Sequence, residues 1–164
     1  LVPEKSTIAI LHIDEDYNNS IHMQEKEKGF RDYFNETENT NYKITTHNSK
    51  QNLLTEKLSI IFNKNINTKA VFVTTSKVYK VAEYIKKEKL NSVKVIGYDL
   101  LDENIHYLNE SVINFLIHQN PKKQVELGLT YLADYFLFGK TIPTKSLLPI
   151  DIITKENLET YLEN

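Results

Sequence analysis

The 164-residue chain contains no cysteine and no tryptophan. Disulfides, thiolate nucleophiles and thiolate metal ligands are therefore excluded, and the composition fits a reducing compartment. No run of about 18 apolar residues is available to span a bilayer. From these absences we expect a cytoplasmic protein with no membrane partner. Because the chain begins at Leu1 and not at Met, we also expect it to be a fragment of something longer.

Glycine is scarce, with four residues at positions 29, 97, 128 and 139. None of them belongs to a G-x-G-x-x-G or G-x-x-x-x-G-K-[ST] pattern, so nucleotide-phosphate loops of those kinds are excluded. The five histidines show no H-E-x-x-H spacing, and no G-x-S-x-G elbow marks a serine nucleophile. We expect neither enzyme activity nor a cofactor. A net charge of −2 gives no basic field, so this chain alone is not expected to hold DNA.

The apolar residues that are present alternate between two patterns. Short runs rich in β-branched residues predict strands at residues 7–13, 42–46, 70–74, 93–98 and 112–117. Amphipathic segments predict helices at residues 22–34, 53–62, 77–90, 121–138 and 155–162, with a polar loop at 102–110. Ser76 is expected to cap the third helix, and Pro149 favours an edge strand within residues 147–153. This alternation predicts an α/β fold, a Rossmann-like parallel sheet in three α/β/α layers.

Polar side chains follow two of these strands. Asp99 comes directly after residues 93–98, and Gln119 comes shortly after residues 112–117. In an open parallel sheet such positions face the crevice where ligands bind. A carboxylate and an amide there suit ligand hydroxyls, as in sugars. The alternatives are that Asp99 caps the next turn and that Gln119 holds the backbone before Pro121.

Other candidates have plainer alternatives. Asp14, Glu15 and Asp16 could supply oxygen ligands to a cation, but a solvated loop is the simpler interpretation. Tyr17 could stack on a sugar or belong to the core. The segment 121–138 carries more aromatic residues than one covered face needs, which favours contact with another lobe or subunit.

Four landmarks, in order, resemble the ligand-binding domain of LacI/GalR-type transcription regulators, which is similar to type I periplasmic sugar-binding proteins. Residues 26–30 (KEKGF) resemble R-x-x-G-F, and residues 73–76 (VTTS) stand where a strand usually ends in Asn-Asp. Residues 96–99 (IGYD) resemble V-G-[FY]-D, and residues 115–121 (FLIHQNP) resemble the strand-Gln-x-Pro crossover. The resemblance covers nearly the whole chain.

The resemblance implies that Lys26, Thr75, Asp99 and Gln119 converge on one ligand, with Lys26 in place of the family arginine. A lysine ammonium is a point charge and cannot reproduce the planar fork of an arginine, so the identity of the ligand is left open. His47, or Asn48 beside it, could occupy the position of a stacking aromatic ring, and Tyr17 is a further candidate ligand contact.

The implied protein is a type I periplasmic-binding-protein-like domain of two lobes. Residues 1–118 resemble the C-terminal lobe, residues 119–143 a crossover and a helix of the partner lobe, and residues 144–164 the return segment. The expected function is binding of a small-molecule effector, a sugar, that controls DNA binding by an absent N-terminal helix-turn-helix in a homodimer. A periplasmic sugar-binding protein of a transporter and a sugar sensor of a histidine kinase remain the alternatives.

Overall fold

The computed structural model describes residues 2–14, 19–63 and 66–162. The six strands are β1 (Thr7–Ile13), β2 (Lys43–Ser49), β3 (Thr68–Val73), β4 (Lys94–Tyr98), β5 (Phe115–His118) and β6 (Asp151–Ile153). The α-helices are α1 (Ile21–Glu36), α2 (Leu54–Ile61), α3 (Val78–Lys87), α4 (Asp102–Asn109), α5 (Pro121–Phe138) and α6 (Leu158–Leu162). A 3₁₀ turn, Gln51–Leu53, precedes α2.

All six strands belong to one sheet, in the order β2-β1-β3-β4-β5-β6. The first five run parallel to their neighbours, and β6 is antiparallel to β5. This topology confirms the predicted α/β class with a parallel sheet. Because parallel strands end at the same edge, the loops after β1, β3, β4 and β5 share the carboxyl edge of the sheet.

The two faces of the sheet are covered unequally. On one face, α2, α3, α4 and α6 pack onto the larger core, to which β1 contributes Leu11. On the other face, a smaller cluster of Ile10, Phe72 and Tyr98 packs against Phe30 of α1. Ile10 and Leu11 serve different cores because successive strand residues point to opposite faces. Every residue of β1 is therefore buried.

The prediction of a loop at residues 102–110 is wrong, since α4 occupies most of that segment. Asn104 and Leu108 are its buried residues, four positions apart and so on one side of the helix. Asp102 and Glu103 in the first turn favour the helix through its dipole. An eight-residue helix that buries an asparagine gives almost no apolar periodicity, which explains the error.

The starts of β5 and α3 also differ from the prediction. Strand β5 begins at Phe115 because the amides of Val112 and Ile113 both donate to the carbonyl of Tyr107, closing the end of α4. The prediction that Ser76 caps α3 is wrong, since the N-cap is Lys77 without a side-chain hydrogen bond.

Helix α5 has the predicted limits. Asn120, in the left-handed region with φ 48°, accepts a hydrogen bond from the amide of Lys123 at 3.0 Å, and Gly139 with φ 60° ends the helix. No residue of α5 is buried. Its exposed large apolar side chains are Val125, Leu129, Leu132, Tyr135, Phe136, Leu137 and Phe138. None of the helices in the described ranges has both the length and the apolar character needed to cross a membrane.

Candidate functional site

Lys26 connects α1 to the carboxyl edge of the sheet. Its Nζ donates to the backbone carbonyl of Thr74 at 3.1 Å, directly after β3. The same ammonium lies 3.7 Å from the ring centroid of Tyr98, the last residue of β4, in a cation–π contact. Burial, followed by the nearby Asp99 carboxylate, raises the pKa of Tyr98 to about 12, so the phenol stays neutral. Lys26 therefore lies between the ends of β3 and β4, and its role as a ligand contact stays a prediction.

Thr75 follows at the same edge and is 7% exposed. Its Oγ1 is buried and has no hydrogen-bond partner in the described part of the chain. A buried hydroxyl without a partner costs roughly 1–3 kcal/mol, so native proteins rarely leave one. The cost is removed if a ligand supplies the missing donor or acceptor.

Asp99 occupies the first position after β4. Its backbone has φ 69°, its amide donates to the carbonyl of Ile117 at 3.1 Å, and its own carbonyl accepts from Nδ2 of Asn104 at 3.0 Å. The residue is half-buried. Its carboxylate takes part in none of the hydrogen bonds or ion pairs found among the described residues. The turn is thus fixed through the backbone amide and carbonyl of Asp99. Its two carboxylate oxygens remain available as acceptors.

Gln119 lies after the neighbouring strand end. Tyr98 of β4 pairs with Ile117 of β5, so Asp99 comes level with His118, and Gln119 follows one residue later at the same edge of the sheet. Gln119 is half-buried and borders an open groove of about 400 Å³ between the start of α5 and the return segment. The other residues lining this groove include Gln124, Tyr131, Ser146 and Ile150. Neither Asp99 nor Gln119 is sealed into apolar packing.

A buried network of hydrogen bonds lies next to this edge of the sheet. The Nδ1 atom of His12 lies 2.7 Å from Oγ1 of Thr74, and its Nε2 lies 2.9 Å from Oε2 of Glu27. The other oxygen of Glu27 accepts from Nε of Arg31 at 2.8 Å and from the hydroxyl of Thr46. Burial alone would raise the pKa of Glu27, but hydrogen bonds from Thr46, Arg31 and His12 together lower it to about 2.

His12 and Glu27 were not among the predicted site residues. A histidine within an apolar strand is a signal for a buried polar contact, because an imidazole inside a core needs partners for both nitrogens. The partner on α1 could not be chosen from the sequence, since several acidic residues share that helix. The network ties β1, β3 and α1 together directly beneath Lys26 and Thr75.

Asp14, considered above as a cation ligand, forms a local ion pair. Its carboxylate accepts from Nζ of Lys77 and from the amide of Gln51. The hydrogen bond from Lys77, then that from Gln51, lowers the pKa of Asp14. Among the described residues no three histidine, aspartate or glutamate side chains gather into a possible metal site. Glu15 and Asp16 lie outside those residues.

His47 makes no hydrogen bond with Lys26, Thr75, Asp99 or Gln119 among the described residues; its partner is Thr45. His47 lies within β2, two residues before its end, with Nε2 3.0 Å from Oγ1 of Thr45. Burial, and secondarily the charge of Lys57 on α2, lowers the pKa of His47. Tyr17 falls outside the described residues. Their roles as ligand contacts stay predictions.

Several solved structures resemble this chain over nearly its whole length. A proposed LacI transcriptional regulator from Bacteroides fragilis is 30% identical, with a TM-score of 0.84 over 96% of this chain and 55% of its own. A glucose-galactose binding protein from Geobacillus stearothermophilus is 23% identical, with a TM-score of 0.77 over 94% of this chain and 55% of its own. A solute-binding protein of a transporter from Agrobacterium vitis, bound to tagatopyranose, is 19% identical, with a TM-score of 0.77 over 94% of this chain and 51% of its own.

The chain therefore spans about half the length of these proteins. A search of curated proteins finds no match. The family model described as "Periplasmic binding protein domain" matches residues 1–141. With this match over most of its length, and with the sheet and helices described above, the chain belongs to the family of periplasmic binding protein domains.

Proposed function

We propose that the chain forms one half of a sugar-binding domain and that Lys26, Thr75, Asp99 and Gln119 contact the sugar. The observation that carries this proposal is the buried Thr75 hydroxyl, which lacks a hydrogen-bond partner among the described residues at the carboxyl edge. The neighbouring loop presents the uncommitted Asp99 carboxylate. Two acceptor oxygens and a hydroxyl suit a ligand with adjacent hydroxyl groups.

The ligand class is a monosaccharide. The printed names of structural relatives give tagatopyranose, allose and arabinose as bound ligands, and one relative is a glucose-galactose binding protein. In this chain the Tyr98 ring is covered by Lys26 and is not a free stacking platform. Recognition on this side of the ligand therefore depends mainly on hydrogen bonds.

The second half of the cleft belongs to another lobe, which α5 joins. In this proposal residues 1–118 and 144–164 form one lobe, and residues 119–143 cross to its partner. The support is the exposure of α5: an 18-residue helix with seven large exposed apolar side chains and none buried has an apolar surface that requires a cover. A sugar bound between the lobes would favour their closed arrangement.

More specifically, the proposed function is effector binding by a LacI/GalR-type transcription regulator, without catalysis. The 30% identity to the proposed regulator from Bacteroides fragilis supports this assignment, as do the four sequence landmarks. The full protein would be a cytoplasmic homodimer that contacts DNA through an N-terminal helix-turn-helix. Lobe closure would then change the affinity for DNA.

Calorimetric titration of the full gene product tests the binding site. We expect wild-type protein to bind at least one of D-glucose, D-galactose, D-tagatose, D-allose and D-arabinose. Asp99→Asn should weaken that binding about 10- to 100-fold, because a hydrogen bond to a charged group contributes about 1.5–3 kcal/mol. Asp102→Asn, which changes an exposed aspartate in the first turn of α4, is the matched control and should bind like wild type. Absence of sugar binding by the wild type, or equal affinity of Asp99→Asn, would contradict the proposal.

A second candidate is the solute-binding component of a sugar transporter, favoured by the TM-scores of 0.77 with two sugar-binding proteins. The two functions differ in their partners. A regulator should bind DNA upstream of its own gene, with an affinity that the sugar changes by about 5- to 150-fold. Asp99→Asn should still bind that DNA but no longer respond to sugar. A gene product that is exported and binds no DNA would establish the transport function instead.

A further inference from the structure

Asn104 of α4 is fully buried and makes contacts in both loops of the proposed site. Its Nδ2 donates to the carbonyls of Ser76 at 2.9 Å, Asp99 at 3.0 Å and Tyr98 at 3.1 Å. Its Oδ1 accepts from the amide of Tyr79 at 2.9 Å. The orientation of the amide is unambiguous, because only the oxygen can accept from a backbone N–H and only the nitrogen can donate to carbonyls.

These contacts join the loop after β3 to the loop after β4. Ser76 directly follows Thr75, and Asp99 is itself a partner, so one side chain fixes the backbone beside both groups that we assign to the ligand. Asp99 has φ 69°, in the left-handed region, which costs a non-glycine residue roughly 1–2 kcal/mol. The bond from Asn104 to the Asp99 carbonyl helps to hold this conformation.

We infer that Asn104 is a positioning residue for sugar binding: it sets the separation and direction of the Thr75 hydroxyl and the Asp99 carboxylate. The inference rests on the proposed function and adds the residue on which the ligand geometry depends. Asn104 does not reach the ligand; it acts through the two residues that do. Replacing it leaves three carbonyls and one amide without this partner, so both loops are free to move apart.

The matched comparison uses a second asparagine at the opposite edge of the sheet. Oδ1 of Asn114 accepts from the amide of Val95 at 2.8 Å, at the amino ends of β4 and β5. Asn104→Ala and Asn114→Ala therefore each remove an asparagine that binds backbone, but the second lies away from the site. We expect both to lower the melting temperature and Asn104→Ala alone to weaken sugar binding by tenfold or more.

A double-mutant cycle separates positioning from a general loss of stability. The full gene product is titrated with whichever of the five named sugars the wild type binds most tightly, at a temperature where each variant is folded. Because Asp99 is misplaced without Asn104, we expect Asp99→Asn to cost much less affinity in the Asn104→Ala background than in wild type. Additive losses, or wild-type affinity in folded Asn104→Ala, would overturn the inference and leave the proposed function intact.

Two further measurements apply if Asn104→Ala does not fold. Asn104→Ser keeps one donor and one acceptor and should show the same selective loss of affinity. In wild-type protein, sugar should slow hydrogen exchange in residues 76–79 and 99–104 together. Slowing in only one loop contradicts the inference, and a wild type that binds no sugar contradicts both the inference and the proposed function.

Discussion

Glu27 is a buried side chain whose ionisation affects the stability of the fold. It is 6% exposed and receives hydrogen bonds from α1, β1 and β2. Its pKa of about 2 lies below the ordinary 4.5, so the folded state favours the charged carboxylate. The resulting stabilisation is present above about pH 4.5 and is lost as the pH falls through about 2.

Glu27→Gln should remove this dependence on pH. At about 1.4 kcal/mol per pKa unit, the ionised carboxylate stabilises the fold at neutral pH by on the order of 3 kcal/mol. Urea unfolding measured from pH 2 to pH 7 should show the difference between wild type and Glu27→Gln shrinking below pH 4.5. Glu103→Gln, at an exposed position, is the control. A constant difference across this range would refute the assignment.

The sequence predicted the positions of some residues at this edge but not the contacts of others. The position of Asp99 and Gln119 at one edge was predictable because each follows a β-branched run, and the parallel strands end at the same edge. His12 and Asn104 were not, because their roles depend on partners distant in the chain: His12 contacts Thr74, 62 residues away. The alternation of apolar and polar residues indicates which face of a strand a side chain occupies. It does not indicate which residue of another element contacts that side chain.

At the scale of elements, the side chain of Val78 in α3 packs directly on the backbone of Gly97 in β4. A Cβ at this position would lie 2.4 Å from Cβ of Val78 at the start of α3. Since no rotamer change can move a Cβ atom, only a backbone shift could relieve the clash. Glycine is therefore required here by the close approach of the helix to the sheet.

Gly97→Ala and Gly29→Ala should have opposite effects on stability. Overpacking costs typically 1–3 kcal/mol, so Gly97→Ala is expected to lower the free energy of unfolding by at least that much. Gly29 lies within α1, where an added Cβ meets nothing within 4 Å, and alanine there should stabilise the helix by about 0.5–1 kcal/mol. Chemical denaturation measures both. Equal effects of the two substitutions would refute the packing argument.

The limits of an element were predictable where a continuous apolar run or clear start and stop residues mark it. Strand β1 and helix α5 have the predicted limits, the first from its continuous apolar run and the second from Pro121 and Gly139. Helix α4 was missed because its buried face combines a leucine with an asparagine. The asparagine side chain binds backbone groups in other loops, and no periodic pattern of residues indicates such contacts.

At the scale of the whole molecule, α4 and α5 contrast in what they bury. Leu108 of α4 is 1% exposed and belongs to the larger core, whereas Leu129 of α5 is 63% exposed. The first helix is integral to this lobe. The second contributes little to it, in agreement with the proposal that it packs on another lobe.

The pair Leu108→Ala and Leu129→Ala tests that difference in the 164-residue chain and in the full gene product. In the short chain we expect Leu108→Ala to cost about 2–5 kcal/mol and Leu129→Ala less than about 0.5 kcal/mol. In the full product Leu129→Ala should become costly, since its side chain is then covered. If Leu129→Ala has the same small effect in both forms, α5 has no such partner.

The three-residue strand β6 has a consequence for assembly. It forms one margin of the sheet, runs against its neighbour and follows closely after Pro149. A strand this short offers few free backbone groups to a further strand, and proline has no amide hydrogen to donate. Growth of the sheet by edge-to-edge addition is disfavoured on that side, so copies of this lobe that associate there should do so through helices and side chains.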